Sequence, residues 1–223
     1  MRGAFVRFMS AALFAAAAIA FFAAGPAAQA ASKDDQATQL QLDGLDAYER
    51  QDYDVAIAKF REAFALKPND KALRKNFADA LNAAGSALYS KKDYAGAIAD
   101  FQEALKLVPS FGLAKANLAV AQVTQLNDQG TALFKAGDFE GAVAKFKEAL
   151  VIDPTNKPAL VNRDAAEAQI LTKNGDLAGA VAKFQEAVAA APNNTFLQGQ
   201  LAAAQAALAA ATPKTDDKGK PAQ

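Results

Sequence analysis

The feature that most constrains this chain is a pattern that occurs four times between residues 52 and 192. Each copy contains an aspartate, an alanine four residues later, a phenylalanine four further on, a second alanine after three more, and a proline after five more. The aspartates are Asp52, Asp93, Asp138 and Asp176; the phenylalanines are Phe60, Phe101, Phe146 and Phe184; the prolines are Pro68, Pro109, Pro154 and Pro192. Four matched copies predict a stack of similar structural units that bury their apolar faces against one another.

The spacing within each copy predicts a helix. Alanine, phenylalanine and alanine separated by four and three residues lie on one helical face, which is then the buried face. The aspartate stands in the turn before this helix, where its side chain can accept bonds from free N–H groups, and the proline follows its end. We call it helix B and predict it over residues 54–66, 95–107, 140–152 and 178–190.

A second helix is predicted before each helix B. The residue after each proline is a good N-cap type, so the next helix, helix A, is expected to begin there. These residues are Asn69, Ser110, Thr155 and Asn193. The repeating unit is therefore helix A, turn, helix B.

The repeated residues resemble those of the tetratricopeptide repeat (TPR) family. The first copy carries the resemblance on Gly44, Asp52, Tyr53, Ala56, Phe60, Ala63 and Pro68, and the fourth, weaker copy has Ala168 and Leu177 where the others have glycine and an aromatic residue. The resemblance implies an all-α, right-handed solenoid of helix-turn-helix repeats. It also implies a concave groove, lined by the A helices, that binds proteins or peptides.

The copies depart from the family in their length. The family period is about 34 residues, whereas the prolines here are 41, 45 and 38 residues apart. The excesses correspond to about 1.9, 3.1 and 1.1 helical turns. An insertion within a helix must be close to whole turns, or the buried face would rotate away from its partner. We therefore predict lengthened A helices in copies two, three and four, rather than longer loops.

These patterns divide the chain into segments. A short polar lead-in is predicted at residues 31–36 and a TPR-like domain at 37–211. Within the domain the repeats are predicted at about 37–70, 71–111, 112–156 and 157–194, followed by a C-terminal capping helix at 195–211 that covers the last exposed face. Residues 212–223 contain two prolines, a glycine and mixed charges, and predict a disordered tail.

Residues 1–30 have the three parts of a secretory signal peptide in the right order. Arg2 and Arg7 precede an apolar run over residues 8–24, and Ala28-Gln29-Ala30 forms a small-x-small cleavage pattern. The expected location is the bacterial periplasm, with secretion as the alternative and no stable membrane insertion after cleavage. An uncleaved membrane anchor also remains open.

Composition argues against catalysis. The chain has no His and no Cys, which removes the commonest general base, thiolate chemistry and the usual zinc ligands. No phosphate-binding glycine loop is present. Lys and Arg total 24 against 24 Asp and Glu, so no basic surface excess favours nucleic acid. We predict a protein that is not an enzyme, with no metal, no cofactor and no nucleic-acid partner.

Candidate binding residues form columns on helix A: the aromatic column lies one position beyond the leucines that pack on helix B, one amide column lies seven residues earlier on nearly the same side, and a second amide column lies near the start of the helix. Aromatic side chains and amides suit an extended peptide, because rings cover apolar side chains and amides bond its backbone. The candidates are Tyr48, Tyr89, Phe134, Asn76, Asn82, Asn117 and Asn127. Packing between neighbouring A helices is the alternative role for each of them. The nearby basic residues Lys71, Arg74 and Lys75 are interpreted as a solvated face.

The sequence thus predicts a non-catalytic scaffold or adaptor of the bacterial cell envelope. Its partner would be another protein or a peptide bound in the concave groove. Self-association of the repeats into a homo-oligomer, with a structural role, is the alternative.

Overall fold

A computed structural model describes residues 32–212 of the 223-residue chain, and this part consists of nine α-helices with no strand. The helices are α1 (Lys33–Glu49), α2 (Tyr53–Leu66), α3 (Lys71–Ser90), α4 (Tyr94–Leu107), α5 (Gly112–Ala136), α6 (Phe139–Ile152), α7 (Lys157–Lys173), α8 (Leu177–Ala190) and α9 (Thr195–Ala211). The odd-numbered helices are the A helices and the even-numbered ones the B helices. The predicted signal peptide, and the tail from residue 213 onward, lie outside the described residues.

Each B helix begins at the residue directly after the repeated aspartate, one residue earlier than predicted, and ends where predicted. In three repeats the aspartate caps the helix as expected. The Oδ1 atoms of Asp93, Asp138 and Asp176 accept bonds of 2.9–3.0 Å from backbone N–H groups three residues later. Asp52 makes no such bond.

The predicted start of the following helices was wrong by one residue. The N-caps are Asp70, Phe111, Asn156 and Asn194, rather than the residues directly after proline. The reason is a turn: the N–H of Asn156, for example, donates to the carbonyl of Asp153 at 3.1 Å. Proline is the second residue of this turn, and the residue that was predicted as the N-cap is the third. The helix therefore begins one residue later than predicted.

The repeated alanines and phenylalanines form the core, as the spacing predicted. All four phenylalanines are at most 2% exposed. In the first three repeats the ring lies against a glycine of helix A. A Cβ added at Gly44, Gly85 or Gly130 would come within 2.6–2.8 Å of the ring, closer than real Cβ contacts. The fourth repeat has the fully buried Ala168 at this position.

The lengthened A helices are confirmed for the second and third repeats, whereas α7 of the fourth repeat has 17 residues, no more than α1, which was not predicted to be lengthened. α3 and α5 are continuous over 20 and 25 residues, with no loop at residues 81–85 or 121–130. The lead-in joins α1, since Ser32 caps it and Lys33 begins it. The capping helix has the predicted bounds, and it packs on α8 with Leu197 and Ala204 buried.

Successive A helices contact one another, linking α1 to α3, α3 to α5 and α5 to α7. At the C-terminal end, a longer-range contact forms on the side of the A helices. There the ring of Phe134 in α5 meets the ring of Phe196 in α9 at 6.3 Å between centroids. A contact that passes over α7 requires the stack to curve toward its A helices. The A helices therefore form the inner face of the solenoid here. None of the helices within residues 32–212 combines the length and apolar character that crossing a lipid bilayer requires.

Candidate functional site

The three predicted aromatic residues occupy equivalent positions near the ends of α1, α3 and α5. Each is half-buried, and each ring packs on the first residue of the following B helix. The pairs are Tyr48–Tyr53 at 5.8 Å, Tyr89–Tyr94 at 5.5 Å and Phe134–Phe139 at 5.1 Å between centroids. The hydroxyl groups of Tyr89 and Thr124 also bond at 3.1 Å, which links α3 to α5. These rings thus contribute to packing and still expose part of their surface.

Three of the four predicted amides bond to another asparagine side chain rather than pointing freely outward. Asn117 donates from Nδ2 to Oδ1 of Asn82 at 2.9 Å, between α5 and α3. Asn127 donates from Nδ2 to Oδ1 of Asn156, the N-cap of α7, at 3.1 Å. The Oδ1 atom of Asn127 is buried and has no partner among the described residues. Half-buried Asn76 makes no side-chain hydrogen bond within residues 32–212.

A pocket of about 520 Å³ lies at the C-terminal end of the inner face, between α5, α6, α7 and α9. Four phenylalanines belong to its lining: the core residue Phe146 lies beneath, and Phe134, Phe139 and Phe196 form the apolar wall. Phe196 is 53% exposed although it is a large apolar side chain. Of the seven predicted site residues, Phe134 alone lines this pocket.

Polar groups complete the lining. Asn162 and Gln169 of α7 face the pocket, as does Lys135 of α5. Gln169 donates from Nε2 to Oε1 of Gln200 in α9 at 2.6 Å, whereas the side chain of Asn162 has no hydrogen bond within the described chain. Among residues 32–212, Lys135 is the only charged residue in the lining, and Lys173 lies close by, with Nζ 4.7 Å from the centre of the Phe139 ring. No carboxylate of this described part lines the pocket.

The pocket forms where the fourth repeat departs from the first three. Position 165 holds alanine, whereas the equivalent positions in repeats two and three hold Asn82 and Asn127. Position 172 holds threonine where the others hold an aromatic residue, and its hydroxyl bonds its own helix at the carbonyl of Ala168. Of these two residues Ala165 lines the pocket, and its small side chain therefore leaves space that asparagine occupies in the second and third repeats.

Sequence reasoning missed Phe196, Gln169 and Lys135 as pocket residues. Phe196 could have been identified from the sequence. It is a large apolar residue in the first turn of the predicted capping helix, and the prediction gave its side chain no packing partner. Its contact with Phe134, 62 positions earlier in the sequence, depends on how three helix pairs curve, which helical periodicity does not specify.

A second depression, of about 490 Å³, lies between α3 and the turn from α4 to α5, and contains Lys71, Arg74 and Lys75. Two of these cations already have partners. Lys75 pairs with Asp79 at 2.6 Å, and this hydrogen bond raises the pKa of Lys75. Arg74 donates to the carbonyl of Pro68 at 2.9 Å and lies over the Phe64 ring. The first pocket, with its free amide and exposed ring, is the better candidate site.

One carboxyl group has a markedly shifted pKa. Asp100, half-buried on α4, has its pKa raised to about 6 by burial first, and then by the neighbouring carboxylates Glu103, Asp54 and Asp93, with Arg61 opposing them. It lies in neither pocket. In the described part of the chain, no three acidic side chains converge as metal ligands.

Comparison with family models places the repeats in a known class. A tetratricopeptide repeat model matches residues 43–111, and a second model of the same repeat matches residues 123–156. These segments are tetratricopeptide repeats. The helices of residues 32–212 thus form an all-α solenoid that contains tetratricopeptide repeats, and TPR proteins are in general protein-interaction scaffolds. Residues 157–212, which contain α7, α8 and α9, lie outside both matches.

No curated protein matches the chain. Solved structures that resemble it include a TPR repeats protein from Bacteroides fragilis, which shares 20% identity, covers 76% of this chain and 98% of its own, and has a TM-score of 0.43. A TPR protein from Thermus thermophilus shares 18% identity, covers 76% and 99%, and has a TM-score of 0.29. The TPR2AB domain of yeast Sti1, solved in a complex with pHSP90, shares 19%, covers 77% and 84%, and has a TM-score of 0.31. The fold assignment depends on the helix pairs and the two matched segments, not on these likenesses.

Proposed function

We propose that this protein is a non-catalytic scaffold that binds a partner protein or peptide along the inner face of its A helices. The observation that carries the proposal is the pocket walled by Phe134, Phe139 and exposed Phe196. Exposed aromatic rings beside a free amide are a surface that a binding partner would cover. The absence of His and Cys agrees with a binding role rather than a catalytic one.

A pull-down from cell-envelope extract tests this function. The tagged protein is compared with a Tyr89→Ala, Phe134→Ala double variant, and with Val151→Ser as a matched control, because Val151 is 83% exposed, lies on B helix α6 and is outside the pocket. We expect a partner that the parent and the control retain and the double variant loses. Recovery of the chain's own copies alone, together with a mass in solution that rises with concentration, would replace the scaffold by self-association.

The proposed place of action is the bacterial periplasm. This proposal depends on the signal-peptide pattern of residues 1–30, and it is supported by the position of α1, which begins at Lys33 with its cap at Ser32. Cleavage after Ala30 would therefore leave the whole first repeat intact. N-terminal sequencing of the protein from a periplasmic fraction should begin at Ala31. Recovery of the protein with Met1 in the membrane fraction would show a retained anchor instead.

A further inference from the structure

The pocket at α5, α6, α7 and α9 suits one chemical class of partner, an inference that rests on the function proposed above. We infer that it binds an extended peptide segment that inserts one aromatic side chain and carries an acidic residue beside it. The rings, the amides and the lysines each point to one part of this ligand.

The apolar wall selects the aromatic side chain. Phe134, Phe139 and Phe196 come from three different helices, and Phe134 meets Phe139 at 5.1 Å and Phe196 at 6.3 Å. A volume of about 520 Å³ lies in the usual range of ligand pockets, about 300–1,000 Å³. A ring from a partner can stack or meet these rings edge-on, which adds to the gain from apolar burial.

The amides favour a peptide over a purely apolar ligand. Asn162 lines the pocket with a side chain that makes no hydrogen bond within residues 32–212, so it can both donate to and accept from a peptide backbone. Gln169 already donates from Nε2 to Gln200, and that bond fixes its orientation at the pocket wall. An extended backbone would satisfy Asn162 without disturbing this pair.

Charge complementarity is the reason to expect an acidic residue in the peptide. Lys135 lines the pocket and Lys173 lies over the Phe139 ring, while no carboxylate from residues 32–212 lines the pocket to neutralise them. Neither lysine has an ion pair within the described part of the chain. An acidic side chain next to the inserted ring would pair with this edge, whereas a basic one would be repelled.

A positional peptide array tests the inference on the full chain. The probes are heptapeptides of the form Gly-Ser-x-Z-x-Ser-Gly, in which Z and then x are varied through all residues except cysteine. The array also carries the chain's own 213–223 sequence. We expect preference for Trp, Phe or Tyr at Z and for Asp or Glu at x. The best heptapeptide, labelled with fluorescein, is then titrated by anisotropy.

Three variants locate the binding. Phe196→Ser removes an exposed ring and should weaken binding about tenfold, as loss of an aromatic anchor does. Lys135→Glu should abolish the preference for acidic residues at x while sparing Z. Ala165→Leu should block the pocket by filling it. Leu113→Ser and Lys106→Glu, exposed and outside the pocket, are the matched controls and should leave the Kd unchanged.

The outcomes separate this inference from the proposed function. Heptapeptide binding that all three variants retain would overturn the pocket assignment and leave the scaffold function standing. No residue preference in the parent, alongside a partner captured in the pull-down, would overturn the peptide chemistry alone. Strongest binding to the 213–223 sequence would overturn the inference of a separate peptide partner and would identify the chain's own segment as the ligand. Circular dichroism is the control for folding: Phe196→Ser must show the parent's helical signal, so that weaker binding reflects the lost ring and not unfolding.

Discussion

The second and fourth repeats have the same buried columns but different surfaces toward their neighbours. Phe101 and Phe184 are both at most 2% exposed and lie between fully buried alanines. On helix A, however, the second repeat has the tyrosine pair Tyr89–Tyr94 and the bonded amide Asn82, where the fourth has smaller side chains. The repeat fold therefore constrains the interior strongly and leaves the inner face free to diverge.

A similar contrast appears on the B helices. The residue before the core phenylalanine is a lysine in three repeats, and Lys183 pairs with Glu186 at 2.9 Å and with Glu167 at 3.4 Å. The second repeat instead has Asp100, whose pKa is raised by burial first and then by the neighbouring carboxylate of Glu103. The same position thus stabilises one repeat by attraction and weakens the other by burial of a carboxylate and by repulsion. Four predictions test how far this comparison holds.

The largest effect is expected in the shared core. Phe101→Ala and Phe184→Ala should each lower the free energy of unfolding by about 3–5 kcal/mol, because each removes a buried ring and leaves a cavity. Urea unfolding followed by circular dichroism measures both. Leu113→Ala, at an exposed position, should change it by less than about 0.5 kcal/mol. A much smaller loss for Phe184→Ala would break the equivalence of the two cores.

A reciprocal exchange tests the contact between helix A and the core ring. Gly85→Ala should cost about 1 kcal/mol net, because overpacking against Phe101 outweighs the gain in helix propensity. Ala168→Gly should cost about 1–2 kcal/mol through lost helix propensity and a lost buried methyl group. The same unfolding measurement applies. A Gly85→Ala protein more stable than its parent would show that the ring moves aside freely.

The third prediction concerns pH. The pKa of Asp100 is raised to about 6 from its ordinary value of 3.8, so folding favours the protonated carboxyl. Its stabilising contribution is complete below about pH 3.8 and is lost as pH rises through 6. Asp100→Asn should therefore raise Tm at pH 7.5 and leave it unchanged at pH 3.5. A difference in Tm that stays constant between these pH values would contradict the assignment.

The smallest effect is expected in the turns before helix B. Lys92 has a left-handed backbone with φ of 64°, where the third and fourth repeats have Gly137 and Gly175 at 82° and 79°. Lys92→Gly should stabilise the protein by about 0.5–1 kcal/mol, because glycine adopts this conformation without steric strain. Gly137→Ala should destabilise it by a similar amount, because alanine is strained at this φ; no neighbour lies near the added Cβ, so no steric clash adds to that cost. Denaturation midpoints of both variants give the comparison, and equal signs would refute it.

Much of the fold could be predicted because helical periodicity is a local property. The spacing of Ala97, Phe101 and Ala104 identified the buried face, and the excess of whole turns identified α3 and α5 as lengthened. The errors were also local: the turn after each proline takes one more residue, which moved the N-caps to Asp70 and its equivalents. Propensity alone does not distinguish adjacent polar residues as caps.

The site was less predictable. Phe134 was assigned to the inner face and lines the pocket, but Asn82 and Asn117 bond each other across two helices. A helical wheel shows which way an amide points, and it does not show whether a neighbouring helix brings a second amide within 2.9 Å. Whether these residues bind a partner stays a prediction.

The sequence by itself determined the helices, their buried faces and their order, because each depends on residues within a few turns of one another. Only the tertiary structure decided where the inner face opens. The pocket requires that Phe134, Asn162 and Phe196, on α5, α7 and α9, converge. That convergence is set by the packing angles of successive helix pairs, and a small rotation at each pair accumulates along the stack into a displacement that no local pattern encodes.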